Sequence, residues 1–329
     1  MIKFHRATFL VVTLLLLSAT ASAEDQADAV FPLRNQNPFI QIFGLPPFQT
    51  ATLTKPGTLD YSFSLDIVND SDATDRIVES VVIDGESYIA TLSMRRRVAE
   101  WLELGIDVPF ISHTGGFLDS GIEGWHDLLG LSNSKRGGPS DRLLFMYENG
   151  GISDFELSSS ASGIGDIQLA AAVPLGQSFA IRASVKLPSG DAQKLTGSGA
   201  TDVSLGLYGA RTSMLLERSL GLSGFAGVLL LGEGDVLAEL QQRSVPYGGI
   251  AARWQATDRF GLAAQVYAQG AYYESELSGL GTNTVQLGIG VDFRPAKRDL
   301  LFKLAVVEDI ASGAAPDFAL HLSIRSLGS

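Results

Sequence analysis

His321 and Ser323 stand two positions apart in an alternating segment, so a strand would present an imidazole and a hydroxyl on one face. Such a pair is the beginning of a serine hydrolase, which needs a base within hydrogen-bond reach of the nucleophile and a third group orienting that base. Spacing along the chain brings no Asn or acid to His321, so no catalytic residue is assigned and no enzyme is expected. His113 and His126 fall in separate segments, and the chain has no Cys. With neither paired His spacing nor thiolates, no metal site or cofactor is expected.

A second chemistry is spread along the chain, in charged and amide side chains that recur at every second position of apolar segments. These are Asp60, Asp66, Arg95, Arg97, Glu103, Asp107, Asp166 with Gln168, Arg182, Lys186, Asp202, Arg253, Gln265, Gln269, Asp292, Lys303, His321 and Arg325. Both signs occur and neither dominates, so no charge selectivity is assigned. A surface of this kind either lines a water-filled path for a small solute or pairs its own charges and braces the wall that carries them. Alternation alone leaves both readings open.

The elements that must position these side chains follow from the same period. Phe179, Ile181, Ala183, Val185 and Leu187 share one face against Arg182, Ser184 and Lys186. Val285, Leu287, Ile289, Val291 and Phe293 alternate with Gln286, Gly288, Gly290 and Asp292, and Leu59, Tyr61, Phe63, Leu65 and Ile67 with Asp60, Ser62, Ser64 and Asp66. The period is two, the signature of strands. Twelve strands are expected, within a range of 10–14: residues 58–69, 77–98 (one long strand, or one bulged around Asp84-Gly85-Glu86), 101–113, 163–174, 178–188, 200–210, 220–231, 245–255, 260–273, 282–294, 300–307 and 317–326. Residues 142–147 and 152–157 form either a further hairpin or an outer-loop extension. Short connections at 256–259 and 295–299 alternate with long ones rich in Gly, Ser and charge at 190–199, 232–244 and 274–281. This is the pattern of an all-β, antiparallel transmembrane barrel with tight periplasmic turns and both termini in the periplasm. A basic side chain facing lipid at the bilayer midplane costs about 2–4 kcal/mol, which assigns the charged face to the lumen.

The start of the chain points to export. Lys3, His5 and Arg6 precede an apolar run over 9–17, and Ala21-Ser22-Ala23 has the small-x-small pattern of a signal-peptidase site, so residues 1–23 read as a signal peptide. The run is too short to span a bilayer as a helix, and residue 24 is Glu, not a lipid-bearing Cys. Residues 24–57 are a periplasmic cap or plug, with 58–329 forming the barrel. Within 31–56, prolines and the aromatics Phe39, Phe43 and Phe48 mark ordered non-strand chain, and Arg34 is expected to pair with an inward carboxylate such as Asp60. The long outer excursion over 113–163 carries Ile122, Trp125, Leu128 and Leu129 at helical spacing, a short helix capped by Asp119 or Ser120. Trp101, Trp254, Phe260 and Phe293 fall beside the short turns, where a periplasmic aromatic girdle is expected.

The full chain has 24 Lys and Arg against 36 Asp and Glu, a formal charge of −12 with no basic patch, which argues against nucleic-acid binding. The expected partners are outer-membrane lipid, the barrel-assembly machinery during biogenesis, and an unknown small solute. A channel or transporter in the outer membrane leads, followed by a non-conducting envelope or adhesion barrel and then an outer-membrane hydrolase. One feature departs from barrel practice, because the chain ends Ser323-Ile324-Arg325-Ser326-Leu327-Gly328-Ser329 without the usual terminal aromatic, which leaves a periplasmic β-protein as the structural alternative.

An ordered succession of short motifs runs through the chain: Asn35-Gln36-Asn37-Pro38-Phe39, Phe43-Gly44-Leu45-Pro46, Asp84-Gly85-Glu86, Gly115-Gly116-Phe117-Leu118-Asp119, Trp125-His126 and Gly163-Ile164-Gly165-Asp166. Together they resemble the uncharacterised proteobacterial family known as domain of unknown function 3187, across nearly all of the mature chain. The Gly-x-Gly-Asp entry into a strand is also similar to the barrel family linked to phenol meta-pathway degradation operons, which implies transport of hydrophobic compounds. Neither resemblance supplies functional residues to carry over. The His-x-Ser pair is similar to that of the outer-membrane phospholipase family, but there the pair faces lipid, whereas parity turns His321 and Ser323 inward here.

Overall fold

The computed structural model describes residues 30–116, 141–296, 299–310 and 313–326. Alternating segments form strands β1 (Leu59–Asp75), β2 (Glu79–Ala99), β3 (Leu102–Thr114), β4 (Leu144–Asn149), β5 (Ile152–Leu157), β6 (Ala161–Ile164), β7 (Gln168–Leu175), β8 (Phe179–Lys186), β9 (Asp202–Leu215), β10 (Arg218–Leu230), β11 (Ser244–Gln255), β12 (Phe260–Gln269), β13 (Thr284–Phe293), β14 (Leu300–Asp309) and β15 (Phe318–Ser326). Twelve of these close an antiparallel barrel in the order β1-β2-β3-β7 and onward to β15, which pairs back on β1 from Ser62↔Arg325 to Asn69↔Phe318. Closure of β15 on β1 removes the strand edges of the wall, so its ladder amides find partners without water.

β1 and β2 are 17 and 21 residues long, well beyond the 9–11 that a tilted membrane strand requires, and their excess projects at the outer end. There the β4–β5 hairpin pairs with β2 from Asp84↔Leu144 to Glu79↔Asn149, so 142–157 is an outer extension and not a wall hairpin. β2 is one long strand. Its register against β1 is unbroken through Asp70↔Gly85, and the single irregularity falls at Arg97/Ala99 beside the turn to β3. The segment expected as one strand over 163–174 is instead split into β6 and β7. Asp166 leaves the ladder because its carboxylate accepts hydrogen bonds from the Gly190 and Ser198 amides and from Lys186. The helix expected around Trp125 lies outside the described residues, as does the segment read as a signal peptide.

The two faces of the wall have opposite character. Leu59, Phe63, Leu92, Leu205, Ile250, Leu262, Ile289, Leu304 and Leu322 are exposed on the outside. Leaving such side chains in water forfeits about 1.5–3 kcal/mol each relative to burial, a penalty that lipid removes. On β13, Ile289 is 57% exposed while Gln286 is 4% exposed. At the short-turn end Trp101 is exposed, Trp254 donates its indole N–H to the Leu215 carbonyl (3.1 Å), and the rings of Phe260 and Phe293 meet at 4.8 Å. Among the described residues, no helix is long and apolar enough to cross a membrane.

This division gives a direct test. Leu287→Arg puts a charge on the lipid face and should block assembly, whereas Gln286→Arg, one residue away on the inner face, should assemble and keep the heat-resistant electrophoretic mobility of a folded barrel. Equal behaviour of the two variants would contradict the register.

Candidate functional site: a plugged, ion-paired lumen

The lumen is filled by the chain that precedes β1. From Val30 the segment runs inside the barrel toward the outer end, turns over 37–43, and returns to the inner end, where Pro56 bridges Arg97. The turn follows from its asparagines: Asn35 Oδ1 accepts from the Asn37 amide (2.9 Å) and Asn37 Oδ1 from the Phe39 amide (3.0 Å), while the Asn37 carbonyl accepts from Ile40 and Gln41. The two limbs touch where the Phe48 amide donates to the Leu33 carbonyl (2.9 Å). The segment is therefore inside the barrel and does not lie across its mouth.

Its peptide groups pair with side chains of the wall. On the rising limb Gln265 bonds both the amide and the carbonyl of Phe31 (2.9 and 3.1 Å), Lys303 donates to the Val30 carbonyl, and Asn35 donates to the Ala314 carbonyl (2.8 Å). At the turn Tyr273 donates to the Phe39 carbonyl (2.9 Å) and Lys186 to that of Ile42 (3.0 Å); the Gly44 amide donates to Asp202 Oδ2 (2.8 Å). On the descending limb Gln168 donates to the Gly44 carbonyl (3.0 Å) and Tyr267 to that of Pro46 (3.1 Å). Arg182 reaches the carbonyls of Thr50 and Thr52 (both 2.9 Å), and the Thr54 amide donates to Glu103 Oε2 (2.5 Å). Apolar contacts complete the fit, with Phe48 edge-on to Phe225 at 4.6 Å, Phe43 stacked on Tyr272 at 5.1 Å, and Phe39 against Phe155 of the outer hairpin at 5.6 Å. Burial, and then the Asp202 carboxylate, pushes the hydroxyls of Tyr272 and Tyr273 well above the usual tyrosine range, so both stay neutral.

The wall's own charges are paired. Arg95 meets Asp107 (2.7 Å), Arg182 meets Glu103 (3.0 Å), and Lys186 sits between Asp166 (2.6 Å) and Asp202 (3.2 Å). Arg325 donates Nε to Asp60 (2.8 Å), and Arg253 grips Asp292 with two parallel bonds (2.7 and 2.6 Å). Removing one partner of such a buried pair costs about 3–5 kcal/mol, because the other charge is left bare. Gln269 is buried in the wall, and Arg97 turns to the Glu100 carbonyl at the inner rim.

Two expectations are corrected here. Arg34 does not pair with Asp60, which Arg325 already holds; its guanidinium donates to the Leu45 carbonyl across the plug (3.3 Å). His321 does have an acid. Asp66, directly opposite across β1 and β15, meets its Nδ1 at 2.6 Å, and Nε2 lies 3.0 Å from Ser323 Oγ. No spacing shows this contact, since the partners are 255 positions apart. Between the plug and the wall formed by β1, β2, β3, β7, β8, β14 and β15 remains a cavity of about 180 Å³, lined by Arg34, Thr50, Thr52, Asp60, Ser64, Asp66, Ser93, Arg95, Arg182, Ser323 and Arg325 among others.

Comparison with known proteins agrees with the architecture. The family described as "Protein of unknown function (DUF3187)" matches residues 7–326. The COG4313 outer membrane channel from Pseudomonas putida F1 shares the fold at a TM-score of 0.55 and 12% identity, over 86% of this chain and 99% of that one. The CymD monoaromatic hydrocarbon channel (TM-score 0.40, 12% identity, 92% and 96% covered) and a Pseudomonas aeruginosa FadL homologue (0.39, 10%, 92% and 96%) are more distant in shape. At these identities the likeness is one of fold. No curated protein sequence matches the chain.

The plug fits because the wall makes room. A Cβ on Gly288 would stand 2.6 Å from Leu33 Cδ1, so any side chain at this inward position must displace that of Leu33, and a large one must displace the rising limb. Gly288→Leu should therefore expel the limb and expose 30–57 to added protease, with the barrel itself still heat-resistant. A plug as protected as in the unaltered protein would contradict the contact.

Proposed function

The chain belongs to the DUF3187 family of proteins of unknown function, and from that membership and the barrel it folds into we propose an outer-membrane channel for a small solute, gated by residues 30–57. The observation that carries the reading is the attachment of the plug. Apart from the bridge of Pro56 to Arg97 at the inner end it joins no strand of the wall, and side chains hold it through hydrogen bonds to its backbone, with a cavity of mixed polar and apolar lining alongside. Each such bond to a charged side chain contributes about 1.5–3 kcal/mol net, and because they are made by side chains the plug can leave without opening the sheet. Export by a cleaved signal peptide and the outer membrane as destination belong to the same reading.

A non-conducting envelope barrel is the second reading, and the paired luminal charges favour it, since they brace the wall without needing a solute. Conductance separates the two. The full chain in planar bilayers should be closed or flicker in small steps, and deletion of residues 24–57 should give large, stable openings. Silence from both proteins, each shown to be inserted and folded, would favour the structural barrel.

The Asp66–His321–Ser323 chain has the order of a hydrolytic triad, and its surroundings argue for bracing. Ser323 lies in mid-strand between Ser64 and Lys303, with its peptide group committed to the sheet. Its neighbours Leu322 and Ile324 are likewise paired in the β1–β15 and β14–β15 ladders, so their amides are not turned to an oxyanion, from whose stabilisation acyl transfer draws much of its rate. The protein should therefore resist labelling by a fluorophosphonate, and Asp66→Asn should lower thermal stability. Labelling of Ser323 that depends on His321 would overturn the bracing role.

A further inference from the structure

Arg34 departs from the pairing of the charges around the cavity. It stands half-buried on the rising limb, lines the cavity, and makes one long hydrogen bond, to the Leu45 carbonyl at 3.3 Å. No carboxylate lies within 4 Å of it among the described residues. The acids that share the cavity are already engaged: Asp60 by Arg325, Asp66 by His321, Glu103 by Arg182, Asp107 by Arg95 and Asp166 by Lys186. Arg34 meets Asp107 only at longer range, beyond ion-pair distance, so its planar fork of donors is left to match a carboxylate in a bidentate pair.

We infer that the cavity is a binding site for a small monocarboxylate, seated on Arg34. The inference rests on the channel reading and names the solute class that the channel would admit. A single negative charge suits the site better than a dianion, because the five lining carboxylates, although paired, repel a second charge at close range. The volume of about 180 Å³ limits the solute to a few heavy atoms beyond its carboxylate. Thr50, Ser64 and Ser323 line the rest together with Pro32, Pro47 and Phe48, so the remainder of the solute meets both hydroxyl groups and apolar carbon. Since Arg34 belongs to the plug, a solute bound there touches the moving part directly.

The test is equilibrium binding to the full chain in detergent, followed by saturation-transfer NMR with propionate, propionamide and inorganic phosphate as probes. Propionate should bind at least tenfold more tightly than propionamide, its uncharged near-isostere, and more tightly than phosphate. Arg34→Gln should remove that preference. Arg34→Lys, which keeps the charge and loses the fork, should retain part of it, and unchanged melting temperatures would show that both variants keep the fold. Equal binding of propionate and propionamide, tighter binding of phosphate, or an unchanged preference in Arg34→Gln would each reject the site. Because binding is read without passage, a negative result beside a plug-dependent conductance rejects the carboxylate site alone, whereas lost conductance beside intact binding rejects the channel.

Discussion

A peptide segment threaded through a barrel has neither water nor a neighbouring strand for its backbone, and every buried amide and carbonyl must still find a partner. The wall supplies those partners from side chains at alternate positions. Gln265, Tyr267 and Gln168 each contribute a neutral polar group to the plug, while Arg182, Lys186, Glu103 and Asp202 contribute charged ones. The last four also pair with wall charges, so one set of residues satisfies both the barrel and its contents. Arg182 is the clearest case, with one nitrogen on Glu103 and two on the carbonyls of Thr50 and Thr52 in the descending limb. Its burial is tolerated because each of its three nitrogens has an acceptor.

That constraint orders the rest of the structure. Lipid admits no charge on the outer face, so charges turn inward; turned inward, they require counter-charges or backbone acceptors. Neighbouring strands provide the first, as in Arg95 with Asp107 and Arg325 with Asp60, and the plug provides the second. Glycines on the inner face of β13 then leave space for Phe31 and Leu33, whose side chains occupy the positions that Cβ atoms on Gly290 and Gly288 would claim. The plug is thus held mainly by side-chain bonds, with the bridge of Pro56 to Arg97 its one contact with a wall strand's backbone pairing among the described residues.

Much of the barrel is legible in the sequence for a simple reason. A strand between lipid and lumen must alternate, and Phe179 to Lys186 or Val285 to Phe293 can do so in one register only. The same parity finds the buried polar residues, since Asp202, Gln265 and Asp292 admit no other face. Their partners are another matter. Asp66 meets His321 because β15 closes on β1, a pairing set by the whole barrel and invisible in the spacing of either residue. The break at Asp166 is equally hidden, because it depends on the amides of Gly190 and Ser198 in a separate loop. For the plug, prolines and aromatics announce ordered chain, while its position inside the lumen depends on Gly288 and Gly290, which read in the sequence as unremarkable members of a polar face. Arg34 was misplaced on charge alone: Asp60 attracts an arginine, and Arg325 on the adjacent strand is nearer.

The central claim is that residues 30–57 occupy the lumen, and a cross-link reads it most directly. An ideal Cβ on Gly44 lies 3.0 Å from that of Asp202, within a small adjustment of the spacing that a disulfide spans, and the chain has no native cysteine to confuse the result. The double variant Gly44→Cys with Asp202→Cys, purified as a folded barrel and mildly oxidised, should lose both thiols to one intramolecular disulfide that ties the plug to β9. Two thiols that stay free and open to a water-soluble maleimide would place the segment outside the lumen and contradict the account.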